Sequence, residues 1–122
     1  CQDKNGKETM YSSDSKCTDL PLVVMINGET ENEAEMFALV MQSYSAAKVV
    51  GERTSGNGHS QVVLPLTDGS AIRVSKYNFL NSERRSLQTL GGVLPDVRSR
   101  AIEDSSLDVI YEAAIDVAQA MK

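Results

Sequence analysis

The sequence predicts an α/β fold, and three observations carry that prediction. Two short apolar runs, LPLVVMIN and KVVGE, flank a stretch with helical spacing. Two strand-like runs, SQVVLPLT and SAIRVSKYNFL, meet at an Asp-Gly dipeptide. The final stretch returns to helical spacing with one apolar face.

In chain order, DKNGKETMYSS opens with Asn5-Gly6 ahead of an alternating segment, which signals a hairpin between Asp3 and Ser12. SDSKCTD is a polar loop. Leu20 to Asn27 is a continuous Val- and Ile-rich run, as expected of a strand buried on both faces. Gly28 ends it. Thr30 followed by Glu33 forms a capping-box pattern, and Ala34, Phe37, Ala38, Met41 and Ser45 then keep helical spacing. Thr30 reads as the helix cap, and the Met and Phe residues of this helix read as core. Lys48 to Glu52 is a second buried strand. A strand-helix-strand unit of this kind crosses over right-handed into a parallel pair.

Asp68-Gly69 is expected to make a two-residue hairpin turn. NSERRSLQTLGGVLPDVRSR reads as a looser segment, with Arg84 and Arg85 on a solvated turn. A closing helix begins at about Ser106, with Leu107, Ile110, Ala114, Val117, Ala118 and Met121 on its apolar face. Residues 1–19 therefore read as hairpin and loop, 20–98 as the core, and 99–122 as the C-terminal helix.

Composition narrows the function. At 122 residues and 41% hydrophobic, the chain is long enough for one core or for part of a larger one. A net charge of −5 disfavours a phosphate-backbone partner, and aromatics at 5% disfavour stacking on single strands, so nucleic acid is excluded. No apolar run approaches the roughly 18–20 residues that span a bilayer. Cys1 and Cys17 permit one disulfide without demanding it.

The stretch ERTSGNGHSQ, Glu52 to Gln61, sets Asn57 between two glycines. Glycines here serve a tight connection, or they bend the backbone to deliver a side chain. GERTSG opens like a phosphate loop, but Asn57 and Gly58 stand where Lys and Ser or Thr belong. A strand also follows where a phosphate loop has a helix. His59, the one histidine, reads as an exposed loop residue. The acidic run Glu29, Glu31 and Glu33 lacks the ligand spacing of a calcium loop. No metal and no cofactor are expected.

PLVVMINGETENEAEM, then VVGERTSGNGHSQVVLPLTDGSAIRVSKYNF, then GGVLPD resemble the catalytic core of the C-terminal processing peptidases, the tail-specific proteases. The resemblance covers Pro21 to Val97. It implies a crotonase-like (Clp protease-like) core, of which this chain would hold the C-terminal half. A PDZ module and the first half of the core would lie upstream. It also implies an exported protein of periplasm, envelope or extracellular space, acting on a polypeptide or a protein C-terminus.

Enzymes of that family use a serine at the helix start and a neutral lysine on the glycine loop, helped by a glutamine four residues on. Carried over by position, the nucleophile falls on Asn32, the lysine on Asn57 and the helper glutamine on Gln61; Glu35 matches the glutamate closing the helix-start motif. Asn32 and Asn57 keep the family's own interval. An amide nitrogen is no base near neutral pH, and an amide does not attack a peptide carbonyl. Glu31 and Glu33 also stand where the family has small neutral residues, and they would oppose an oxyanion. The expected function is therefore an inactive peptidase-like domain that retains peptide or partner binding. The alternatives are an active serine endopeptidase whose nucleophile lies elsewhere, and a structural or assembly domain. As an isolated chain it is expected to form a homo-oligomer.

Overall fold

The computed structural model describes residues 1–12, 14, 16, 18–100 and 108–121. In chain order the elements are β1 (Gln2–Asp3), β2 (Val23–Ile26), α1 (Glu33–Ser43), β3 (Lys48–Gly51), β4 (His59–Pro65), β5 (Ala71–Asn78), α2 (Leu87–Leu90), β6 (Val97–Arg98) and α3 (Val109–Ala120). Among the described residues these strands form two sheets, each of three strands. The mixed α/β class expected from the sequence is the one observed.

The parallel sheet runs β2-β3-β6, with Val23 opposite Lys48 and Val50 opposite Val97. The crossover from β2 to β3 is α1, as the change of period predicts. β3 is the central strand, and Val49 and Val50 are both fully buried although they point to opposite faces. β2 departs from expectation. It is shorter than Leu20–Asn27 and lies at the sheet edge, so Met25 remains 50% exposed. A continuous apolar run does not distinguish a strand covered on both faces from an edge strand covered on one.

Helix α1 also turns differently from the predicted face. Glu35, Ala38 and Leu39 point inward, while Ala34 is exposed and Phe37 is 52% exposed. Phe37 is therefore not core. The helix stops at Ser43, with Ser45 in the left-handed region at φ 54°. Around α1, the core gathers Ile26, Ala38, Leu39, Val49, Phe79, Leu87 and Val93. Burying a side chain such as Leu87 is worth about 1.5–3 kcal/mol.

The antiparallel sheet runs β1-β5-β4. Its long hairpin pairs His59 with Asn78 and Pro65 with Ala71. The turn is not a two-residue one: Leu66 N donates to Ser70 O at 2.8 Å, leaving Thr67, Asp68 and Gly69 as a three-residue loop. Gly69 takes φ 85°, the left-handed position that ends such a loop. The Ser70 hydroxyl and amide donate to Asp68 Oδ1 and hold that carboxyl below its ordinary range. The N-terminal hairpin forms around Gly6, with Cys1 and Thr9 exchanging backbone bonds. Cys17 lies outside the described residues, and with it the question of a Cys1–Cys17 bridge.

Two elements sit inside the segment read as loose: the single turn α2 and the short strand β6. Both are too short for hydrophobic periodicity to reveal. Arg84 and Arg85 are exposed and pair with Glu8 and Glu83, as a solvated turn should. Helix α3 starts at Val109, capped by the Asp108 side chain accepting from Tyr111 N at 3.0 Å. Ser106 and Leu107 lie outside the described residues. Of the predicted face, Ala114 is buried while Met121 is 40% exposed. Among the described residues no helix is long and apolar enough to cross a membrane.

Candidate functional site

The site is assembled where β2 hands over to α1. After Ile26 the chain makes a turn in which Thr30 N donates to Asn27 O at 3.1 Å. The Thr30 hydroxyl is occupied there, donating to Asn27 Oδ1 and accepting from Asn27 N, each at 3.1 Å. It is therefore not the helix cap. The N-cap position belongs to Asn32, which makes no side-chain capping bond. Asn32 adopts φ 55° and ψ −123°, a conformation rare outside glycine. A sharp strand-to-helix turn of this kind is a device for presenting a nucleophile. Here the side chain presented is an amide.

The glycine loop is held alongside that turn. Ser55 N donates to Thr30 O at 3.1 Å, and Asn32 N donates to Asn57 O at 3.2 Å. The Asn57 carbonyl also accepts from His59 N at 2.9 Å. With its amide turned so that nitrogen faces oxygen, Asn32 donates to Asn57 O and His59 O, each at 3.2 Å. The Asn57 side chain points to the carboxylate of Glu31, its Nδ2 3.4 Å from Glu31 Oε2. The structure thus brings Asn32 and Asn57 together.

Glu35 anchors the loop from beneath. Its carboxylate is fully buried and accepts from the Thr54 hydroxyl, from Gly56 N at 2.7 Å and from Ser55 Oγ at 3.4 Å. Thr54 Oγ1 in turn accepts from Val93 N at 2.7 Å. A buried carboxylate is tolerated because each oxygen is paired. This clamp joins α1, the loop and the segment before β6. Sequence reasoning matched Glu35 by position but missed Thr54, whose signal was its place in GERTSG.

Gln61 is half-buried on β4, opposite Ser75, beside a bulge between Ser60 and Gln61. Among the described residues its side chain makes no hydrogen bond, so the structure does not join it to Asn57. His59 is not a loop residue: it opens β4, is half-buried, and its Nε2 accepts from Gln88 Nε2 at 2.6 Å. Gly58 is required by close approach, since a Cβ there would stand 2.2 Å from Leu87 Cβ.

Comparison with known proteins bears on this geometry. Residues 1–99 match peptidase family S41. The chain is 32% identical over 117 residues to the "Carboxyl-terminal-processing protease" of Synechocystis sp. (strain ATCC 27184 / PCC 6803 / Kazusa), covering 91% of this chain and 27% of that protein. It is 32% identical over 114 residues to the "Carboxyl-terminal-processing peptidase 1, chloroplastic" of Arabidopsis thaliana, covering 93% of this chain and 23% of that protein. Among solved structures it is similar to a photosystem II D1 C-terminal processing protease, at 30% identity and a TM-score of 0.53, over 80% of this chain and 24% of that one. The chain thus spans about a quarter of the length of these relatives. The match runs through the helix start, the glycine loop and the hairpin that build the site. The chain belongs to peptidase family S41.

Proposed function

We propose that this chain is a peptidase-family domain that has lost peptide hydrolysis and retains polypeptide binding. The observation that supports it is the pair Asn32 and Asn57, joined backbone to backbone at 3.2 Å and each bearing an amide. Acyl transfer needs a nucleophile beside a base with a usable pKa. An amide is neither. Glu31 adds a negative charge at the helix start, where a developing oxyanion would need the opposite.

We read the β2-β3-β6 layer as the C-terminal half of a crotonase-like core, in a protein carrying upstream segments such as a PDZ module. An exported location follows from the same reading, as does association of the isolated chain with itself. A peptide-binding titration distinguishes this function from a purely structural role, which predicts no saturable binding. A serine-directed covalent probe distinguishes it from a working endopeptidase, which predicts stoichiometric labelling.

A further inference from the structure

A cleft of about 450 Å³ opens beside the carboxyl ends of β3 and β6. Ligands of open α/β sheets gather at the carboxyl ends of parallel strands. Its charge is unlike that of the rest of the chain. Acidic residues outnumber basic ones 17 to 12 overall, yet among the described residues Arg53, Arg98 and Arg100 line this cleft with one carboxylate, that of Glu52. Glu52 already faces Arg100 at 3.9 Å. Among the described residues neither Arg53 nor Arg98 has an ion-pair partner.

The walls are fixed rather than incidental. Asp96 ties the bend ahead of β6 to β3 twice: its Oδ2 accepts from Val49 N, and its backbone N donates to Val49 O, each at 2.8 Å. Gln42 Nε2 donates to Leu94 O at 2.8 Å. Leu94 and Pro95 thereby form a held apolar wall beside the guanidinium groups. Arg53 lies along Gly91, where an added Cβ would be only 3.2 Å from its Nη1.

We propose that this cleft binds a carboxylate carried by a polypeptide. A guanidinium presents a planar fork that matches a carboxylate in two parallel bonds, and an adjacent apolar wall strengthens such bonds by excluding water. The carboxylate is either a chain terminus or an Asp or Glu side chain. The inference rests on the reading of this chain as a polypeptide-binding domain, and its test is chosen so that the two fail differently.

The test is a ¹H–¹⁵N NMR titration of the chain with three probe peptides. These are acetyl-tetraalanine with a free C-terminus, the same peptide as its amide, and an acetylated, amidated Ala-Glu-Ala-Glu-Ala. The expected result is saturable shifts at Gly51, Leu94, Ser99 and the arginine Nε–H groups with one or both carboxylate peptides. The amidated tetraalanine should produce none. Raising salt from about 20 to about 200 mM should weaken binding. Arg53→Gln with Arg98→Gln should weaken it at least tenfold. Arg98→Lys should lose part of the affinity, since charge remains without the fork. The arginine Nε–H signals of the unaltered chain keep the test decisive if the double variant misfolds. The proposal is overturned by equal binding of the neutral peptide, or by carboxylate binding that leaves those arginine signals unmoved. Shifts at Asn32, Asn57 and Gln61 without shifts in the cleft would overturn it and leave peptide binding standing. Silence everywhere would overturn both.

Discussion

The backbone amide of Asn32 donates to the carbonyl of Asn57 at 3.2 Å, so the helix start and the glycine loop meet at two amide-bearing residues. Both side chains at that meeting point are neutral amides, which neither attack a peptide carbonyl nor take up a proton near neutral pH.

The scaffold stores strain at Asn32, which sits at φ 55°. A residue held in such a region costs about 1–3 kcal/mol unless it is glycine. Asn32→Gly should be close to neutral, because relief of strain offsets loss of the side chain's hydrogen bonds to the Asn57 and His59 carbonyls. Asn32→Val should be less stable than Asn32→Gly by about 2 kcal/mol, since a β-branched side chain fits this region worst. Urea unfolding midpoints of the two variants provide the check. Equal midpoints would mean the turn is not strained.

The clamp under the loop is Glu35. Glu35→Ala removes acceptors for the Thr54 hydroxyl, Ser55 Oγ and Gly56 N at once. The expected loss is about 3 kcal/mol, with faster amide hydrogen exchange at Gly56. Loss of stability without faster exchange at Gly56 would assign Glu35 a packing role alone.

Placing a serine at position 32 and a lysine at position 57 should not produce a reactive serine. A lysine at position 57 would stand where Asn57 Nδ2 now lies 3.4 Å from Glu31 Oε2. An opposite charge at that range favours the protonated amine and raises its pKa, whereas a general base must be neutral. Asn32→Ser with Asn57→Lys should therefore remain unlabelled by a fluorophosphonate probe near neutral pH. The amine introduced at position 57 should titrate above the ordinary lysine value by ¹⁵N NMR. Ready labelling of that double variant would show the Glu31 carboxylate to be unimportant.

Much of this arrangement was legible in the sequence, for identifiable reasons. The 3.6-residue period after Thr30 and the Val-rich runs on either side specified β2-α1-β3. The helix-start and glycine-loop motifs located the two stretches that meet at Asn32 and Asn57. What escaped were features decided by neighbours remote in sequence. Phe37 faces outward because α1 rotates to bury Glu35, and a buried glutamate breaks the apolar pattern that assigns helix faces. The Thr30 hydroxyl was drawn to Asn27 by a turn the capping-box spacing does not encode. Strand β6 and helix α2 are shorter than one period of any hydrophobic repeat, and they take their form from bonds to Val49, Gly51 and Phe79.

The hairpin β4–β5 carries a further expectation. Val62 and Leu64 stand opposite Val74 and Ile72, and Leu64, Ile72 and Val74 are each more than 40% exposed. An apolar strand face with open edges favours pairing between chains. Sedimentation velocity at micromolar concentration should show a dimer or larger species. Val74→Lys with Ile72→Lys should shift it to monomer. A monomer before any substitution would contradict the expectation.

The most direct test of the central claim is a turnover assay on the protein as it occurs in its full length. It would be incubated with an unstructured polypeptide such as reduced casein, with new termini counted by mass spectrometry. The account predicts no cleavage above a protein-free control, from near neutral to mildly alkaline pH. Sustained cleavage that disappears in an Asn57→Ala or Gln61→Ala variant would contradict it, because that result requires a working centre at these positions.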